Sequence, residues 1–155
     1  MSTCCVIGLG YIGLPTAAIL AKVGHKVIGV DTNVEVVKTI NNGNVHIKEP
    51  NLEKIVKEAV SSKSFSAKLT PSKADIFIIT VPTPFIKSNS SIPKPNIGYI
   101  KSAAKSISKV LEPDNLVIIE STSPVGTTNK IAKLILEETN LNNEDLQIAY
   151  CPERV

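Results

Sequence analysis

The sequence is short of the residues that usually announce a charged partner or a metal cage. Among its 17 basic residues only Arg154 is an arginine, and the lysines are scattered rather than gathered into a run. Readers of nucleic acid draw on arginine's planar fork of donors, so no nucleic-acid partner is expected. No uncharged apolar run approaches the roughly 20 residues of a membrane span, so no membrane partner is expected either. The opening Met1-Ser2-Thr3-Cys4-Cys5 lacks the basic flank and long apolar core of a secretory signal. Three cysteines, two of them adjacent, can build neither a disulfide framework nor a spaced metal site. Thiols buried in the strands of a reduced, cytoplasmic protein are expected instead. The two histidines, His25 and His46, stand in no pattern with a Ser or Cys nucleophile and read as structural or surface groups.

What is present is the composition of an ordinary globular fold: 155 residues, 43% hydrophobic, 20% charged, net charge +3. That length supports one domain with its own core. Apolar runs alternate with helical stretches throughout. Strands are predicted at Thr3 to Gly8, Lys26 to Asp31, Lys68 to Thr70, Asp75 to Val81, Leu116 to Glu120 and Gln147 to Cys151. Their continuous hydrophobicity indicates strands covered on both faces, as in a parallel sheet. Ile12 to Val23 reads as a helix with Pro15 in its first turn and Gly24 at its end. Asn33 and Asn51 are expected to cap the next two helices. Ile100, Ala103, Ala104 and Ile107, and later Ile131, Leu134 and Ile135, recur at helical spacing. Thr83 to Asn96, with three prolines and a Ser/Asn cluster, reads as one long mobile loop. The fold class is therefore α/β: a Rossmann-like, doubly wound, three-layer single domain with about six parallel strands in the order 3-2-1-4-5-6.

In that topology the strand ends meet at one edge, and the informative residues fall there. Gly8-Leu9-Gly10-Tyr11-Ile12-Gly13 follows a strand and opens a helix. Gly8 suits a tight turn, Gly10 a close approach of backbone to pyrophosphate, and Gly13 tight helix–strand packing. Asp31 ends the second strand about 20 residues on, where a carboxylate can bond a ribose 2′-hydroxyl. Thr32 and Asn33 follow it with no arginine for a 2′-phosphate, which favours NAD over NADP. Thr83, between two prolines at the next strand end, is either a cofactor donor or part of a rigid loop. The hydroxyls of the Glu120 to Thr128 segment either face a ligand or cap a helix.

Taken in order, these motifs, with Glu120-Ser121-Thr122-Ser123-Pro124-Val125-Gly126-Thr127-Thr128 and Tyr150-Cys151-Pro152-Glu153-Arg154-Val155, resemble the UDP-glucose/GDP-mannose dehydrogenase family. Within it, His46-Ile47-Lys48-Glu49-Pro50 and Thr83-Pro84-Phe85 are most similar to members that oxidise UDP-N-acetylmannosamine. The resemblance covers residues 1–155 as the NAD-binding domain, without the family's central helix and C-terminal UDP-sugar domain. It implies a two-step oxidation of a nucleotide-sugar C6 alcohol to a carboxylate with two NAD, through a Cys thioester on the missing domain, in surface-polysaccharide synthesis. It further implies that Tyr11, Ile12, Asp31, Thr83 and Thr128 contact NAD. Thr122 and Glu153 would hold the hydrolytic water, and Arg154 and Val155 would begin the UDP-sugar contacts. Cys151, which lies outside the family's Gly-Gly-x-Cys segment, is not the nucleophile. The chain alone is expected to be inactive, and the full-length family to form a homodimer. Another sugar (UDP-glucose, UDP-N-acetylglucosamine or GDP-mannose) and a non-catalytic NAD-sensing module stay open as alternatives.

Overall fold

The computed structural model describes residues 1–86 and 94–152. In chain order the elements are β1 (Thr3–Ile7), α1 (Gly13–Lys22), β2 (Lys26–Val30), α2 (Val34–Asn41), α3 (Leu52–Ser61), β3 (Phe65–Lys68) and β4 (Ile76–Ile79). Then come β5 (Phe85–Ile86), β6 (Lys94–Pro95), α4 (Gly98–Ser108), β7 (Leu116–Ile119), α5 (Thr127–Glu138) and β8 (Gln147–Tyr150). Six strands form one sheet in the order β3-β2-β1-β4-β7-β8 among the described residues, as expected. Every neighbouring pair in it is parallel.

Side chains leave a strand alternately on either face, and the two faces feed separate cores. Cys4, Val6, Val27 and Phe65 pack with Leu14, Ala17 and Val56 on the side of α1 and α3. Cys5, Ile7, Phe77, Ile79, Val117 and Ile119 pack with Ile100, Ala104, Ile131 and Ile135 on the side of α4 and α5. Helices thus cover both faces of the sheet, the three-layer arrangement the sequence predicts. Gly24 (φ +103°) closes the turn after α1, and Asn33 caps α2 by accepting from the Glu35 N–H at 2.9 Å.

Four local expectations are corrected. The third strand lies at Phe65–Lys68, not at Lys68 to Thr70. It is an edge strand whose Phe65 and Ala67 are buried while Ser66 and Lys68 face out. A search for continuous hydrophobicity misses that alternation. Its outer edge is plugged by the Asn41 amide, which donates to the Ala67 carbonyl (2.9 Å) and accepts from the Ala67 N–H (2.8 Å). Asn51 precedes α3 in the left-handed region (φ 62°) and its side chain makes no capping bond. The stretch from Thr83 to Asn96 is not all loop, because β5 and β6 pair antiparallel within it; its residues 87–93 lie outside the described residues. Cys4 and Cys5 are buried as expected, but Cys151 is exposed, one residue past β8. No helix of the described residues is long and apolar enough to cross a membrane.

Candidate functional site

The glycine segment joins β1 to α1 at the carboxyl edge, and its three glycines do different work. Gly8 sits at φ +96°, and its N–H donates to the Val30 carbonyl at 2.8 Å, tying the turn to β2. A Cβ on Gly13 would lie 1.8 Å from the Gly8 carbonyl oxygen and 2.3 Å from Thr80 Oγ1, so the helix start is packed against the turn as tightly as backbone allows. A Cβ on Gly10 would meet nothing within 4 Å. That open space lies over the first turn of α1, which has no side-chain cap and no acidic residue. Its leading N–H groups lack helical partners and carry the positive end of the helix dipole, the donor set a diphosphate needs.

Two clefts flank this turn and share the wall Val81-Pro82. The first, about 420 Å³, is lined by Gly10, Tyr11, Ile12, Thr80, Thr83, Glu120, Ser121 and Thr122. The second, about 350 Å³, runs over Gly8, Asp31 and Thr32 to Leu69-Thr70-Pro71 and the Tyr99 and Ser102 face of α4. Neither described lining contains a lysine or an arginine. An anionic ligand here would be met by backbone donors rather than by cationic side chains. Two lobes on either side of a glycine turn suit a dinucleotide.

Asp31 belongs to the second lobe. Its Oδ2 accepts from the Leu9 N–H at 3.1 Å and its Oδ1 from the Asn33 N–H at 2.9 Å. The carboxylate thus braces the glycine turn and the start of α2, and each oxygen keeps lone-pair capacity for a ribose hydroxyl. On the other side, the loops after β4 and β7 are clasped together. Ser121 Oγ donates to the Val81 carbonyl (2.8 Å) and Thr83 Oγ1 to the Thr122 carbonyl (2.6 Å). With its proton so placed, Thr83 offers lone pairs rather than a donor to the cleft. Glu120, one residue past β7 and lining the first lobe, accepts from Thr16 Oγ1 of α1 at 3.5 Å.

The structure therefore brings together Gly8, Gly10, Tyr11, Ile12, Asp31, Thr83 and Thr122. Gly13 lies beneath them as a packing residue. Thr128 is half-buried in the first turn of α5 and lines neither lobe. Glu153, Arg154 and Val155 lie outside the described residues. Cys151, whose N–H donates to the Ile119 carbonyl at 3.0 Å, lies at the same edge. The sequence reading missed Thr80, buried beneath the turn, and the Leu69 to Pro71 wall. A lone threonine after Ile-Phe-Ile-Ile is the available signal for Thr80; Leu69 and Thr70 of the wall fall in the strand expected at Lys68 to Thr70.

The thiols in β1 are not candidates for chemistry. Burial pushes the Cys5 thiol up to about 11, and burial with the nearby Asp75 carboxylate raises Cys4. A thiol so raised is inert at neutral pH.

Residues 2–155 match the UDP-glucose/GDP-mannose dehydrogenase family, NAD binding domain. The chain belongs to this family. The open space at Gly10, beside an α1 start with no side-chain cap, leaves room for the close approach of a diphosphate. Among similar proteins, a UDP-N-acetyl-D-mannosamine dehydrogenase of Campylobacter jejuni is 52% identical over 159 residues, covering 97% of this chain and 38% of that protein. One from Yersinia pestis is 49% identical over 99% of the chain and 37% of its own length. The solved UDP-N-acetyl-mannosamine dehydrogenase of Staphylococcus aureus superposes with a TM-score of 0.92 at 37% identity, over 99% of this chain and 37% of that one. The chain thus spans less than two-fifths of the length of the dehydrogenases it matches.

Proposed function

We propose that this NAD-binding domain serves an enzyme that oxidises the C6 alcohol of UDP-N-acetylmannosamine to the carboxylate. The observation that carries the reading is the 52% identity, sustained over 97% of the chain, to a protein named for that substrate. Bound NAD would supply the hydride acceptor for each of two oxidation steps. This chain's part is to hold the cofactor. Gly8, Gly10 and Gly13 shape the turn, Tyr11 and Ile12 lie at the α1 N-terminus, and Asp31 orients the ribose. Thr83 contacts the cofactor from the first lobe, and Thr128 does so from the start of α5, beyond the two lobes.

In the proposal Thr122 and Glu153 hold the water that releases the product, and Arg154 and Val155 open the sugar site. The remaining chemistry belongs to polypeptide outside these residues. There a cysteine adds to the C6 aldehyde, the second hydride leaves the adduct, and water cleaves the resulting thioester to carboxylate and thiol. The chain by itself is accordingly inactive.

The test has three parts. Calorimetric titration of the 155-residue protein should show NAD binding in preference to NADP. NAD with UDP-N-acetylmannosamine should give no NADH. Failure to bind NAD would refute the site, and NADH formation would refute the division of labour. A chimera carrying residues 1–155 in place of the matching segment of the Campylobacter jejuni relative should regain NADH formation with UDP-N-acetylmannosamine. An inactive chimera that still binds NAD would refute the roles given to Thr122 and Glu153.

A further inference from the structure

The segment after β4 carries a polar side chain that a parallel sheet does not require. Thr80 follows Ile76-Phe77-Ile78-Ile79 and is only 8% exposed. Its backbone N–H already donates to the Ile7 carbonyl at 2.9 Å. Valine has the same branched shape and comparable strand preference, so the hydroxyl must be explained by what it touches. Thr80 Oγ1 lies 2.6 Å from the Gly8 carbonyl oxygen and 2.9 Å from that of Ile7. A Cβ on Gly13 would come within 2.3 Å of it. One hydroxyl thus stands where the end of β1, the glycine turn and the start of α1 converge.

The peptide unit it touches is held from the other side as well. The Gly8 carbonyl and the Leu9 N–H belong to one rigid amide plane. Thr80 takes the carbonyl end, and Asp31 Oδ2 takes the N–H end at 3.1 Å. Two strands on opposite sides of β1 therefore grip one peptide. With that plane fixed, the backbone leading on to Gly10, Tyr11 and Ile12 starts from one set orientation before any ligand arrives. Binding is tighter when such ordering is complete in the free protein.

We propose that Thr80 is a positioning residue for dinucleotide binding: its hydroxyl and the Asp31 carboxylate clamp the Gly8–Leu9 peptide so that the glycine turn is preset for diphosphate. Thr80 acts through the turn rather than on the cofactor. The inference rests on the reading of this cleft as the NAD site, which titration of the unaltered protein tests separately.

The experiment compares Thr80→Val with Thr80→Ser. Thr80→Val should weaken NAD about tenfold, as loss of one buried hydrogen bond implies. Thr80→Ser, which keeps the hydroxyl, should stay close to the unaltered protein. In the cofactor-free protein, amide hydrogen exchange at Leu9 should speed up in Thr80→Val and not in Thr80→Ser. Exchange at Cys5 and Val6 within β1 should not change; a general loosening would move all three. Unchanged NAD affinity in Thr80→Val, a Thr80→Ser variant as weak as Thr80→Val, or unaltered Leu9 exchange would each overturn the proposal. Should Thr80→Val lose its cooperative melt, Thr80→Ala carries the same readouts. If the unaltered protein bound no NAD, the site reading would fall, and the Leu9 comparison would still decide whether the clamp exists.

Discussion

Two glycines of one turn should fail in opposite ways when given a methyl group. In Gly13→Ala the new Cβ lands 1.8 Å from the Gly8 carbonyl oxygen, a backbone atom that cannot rotate aside. Comfortable non-bonded separations are about 3.5 Å, so α1 must retreat from the turn by well over an ångström. Overpacking of this kind costs about 1–3 kcal/mol, and the retreat also disturbs the Thr80 bond to Gly8, worth about 1 kcal/mol. The alanine returns about 0.4–1 kcal/mol by restricting the unfolded chain. The net loss is about 1–3.6 kcal/mol, or a fall of about 2–14 °C in Tm for a domain of this size. In Gly10→Ala the Cβ meets nothing within 4 Å, so stability should stay within about 0.5–1 kcal/mol of the unaltered protein. The methyl instead stands where a diphosphate must approach, and NAD affinity should fall about tenfold or more, at least ~1.4 kcal/mol. Thermal melts and calorimetric titration of both variants separate the two effects. A Gly13→Ala protein melting with the unaltered one, or a stable Gly10→Ala protein binding NAD normally, would refute this account of the turn.

Asp31→Ala removes the acceptor for both the Leu9 and Asn33 N–H groups. It should weaken NAD by about 1.5–3 kcal/mol, the worth of a charged hydrogen bond, and titration that shows no change would disprove the placement of the ribose. Thiol counting offers an independent check. At pH 8 an alkylating reagent should label Cys151 rapidly and reach Cys4 and Cys5 only on unfolding, which intact mass resolves. The Cys5 thiol titrates at about 11 in the folded chain against 9.0 when exposed. Below pH 9 both states keep the proton, so its contribution is fully present there. Between the two values the unfolded state releases a proton that the native state retains, so stability should fall as pH rises, by up to about 1.4 kcal/mol per pH unit. Denaturant melts across that range that stay flat would contradict the burial assigned to β1.

Much of this molecule is legible from local pattern. Gly8-Leu9-Gly10-Tyr11-Ile12-Gly13 after an apolar run, with Asp31 at the next strand end, defines a βαβ unit because turn chemistry and hydrophobic period act over a few residues. The helical faces at Ile100-Ala103-Ala104-Ile107 and Ile131-Ile135 follow from the same short-range periodicity, and from these the six-strand order could be written down. The errors fall where local signals are weak. Phe65–Lys68 alternates because it lies at an edge, and which strand becomes an edge is settled by the whole sheet. Asn51 has a capping side chain but a left-handed backbone, imposed by how the chain enters α3.

The interior of the site was decided by tertiary structure alone. Leu9 and Asp31 are 22 residues apart, Gly8 and Thr80 are 72 apart, and Thr16 and Glu120 are 104 apart. No periodicity links such positions. They become neighbours only because β1 lies between β2 and β4, and β4 beside β7. The sequence determined that a glycine turn and an acidic strand end would meet at one edge. Which hydroxyl holds that turn in place is a property of the assembled sheet, since a hydrogen bond needs its partners within about 3 Å and only the sheet brings them there.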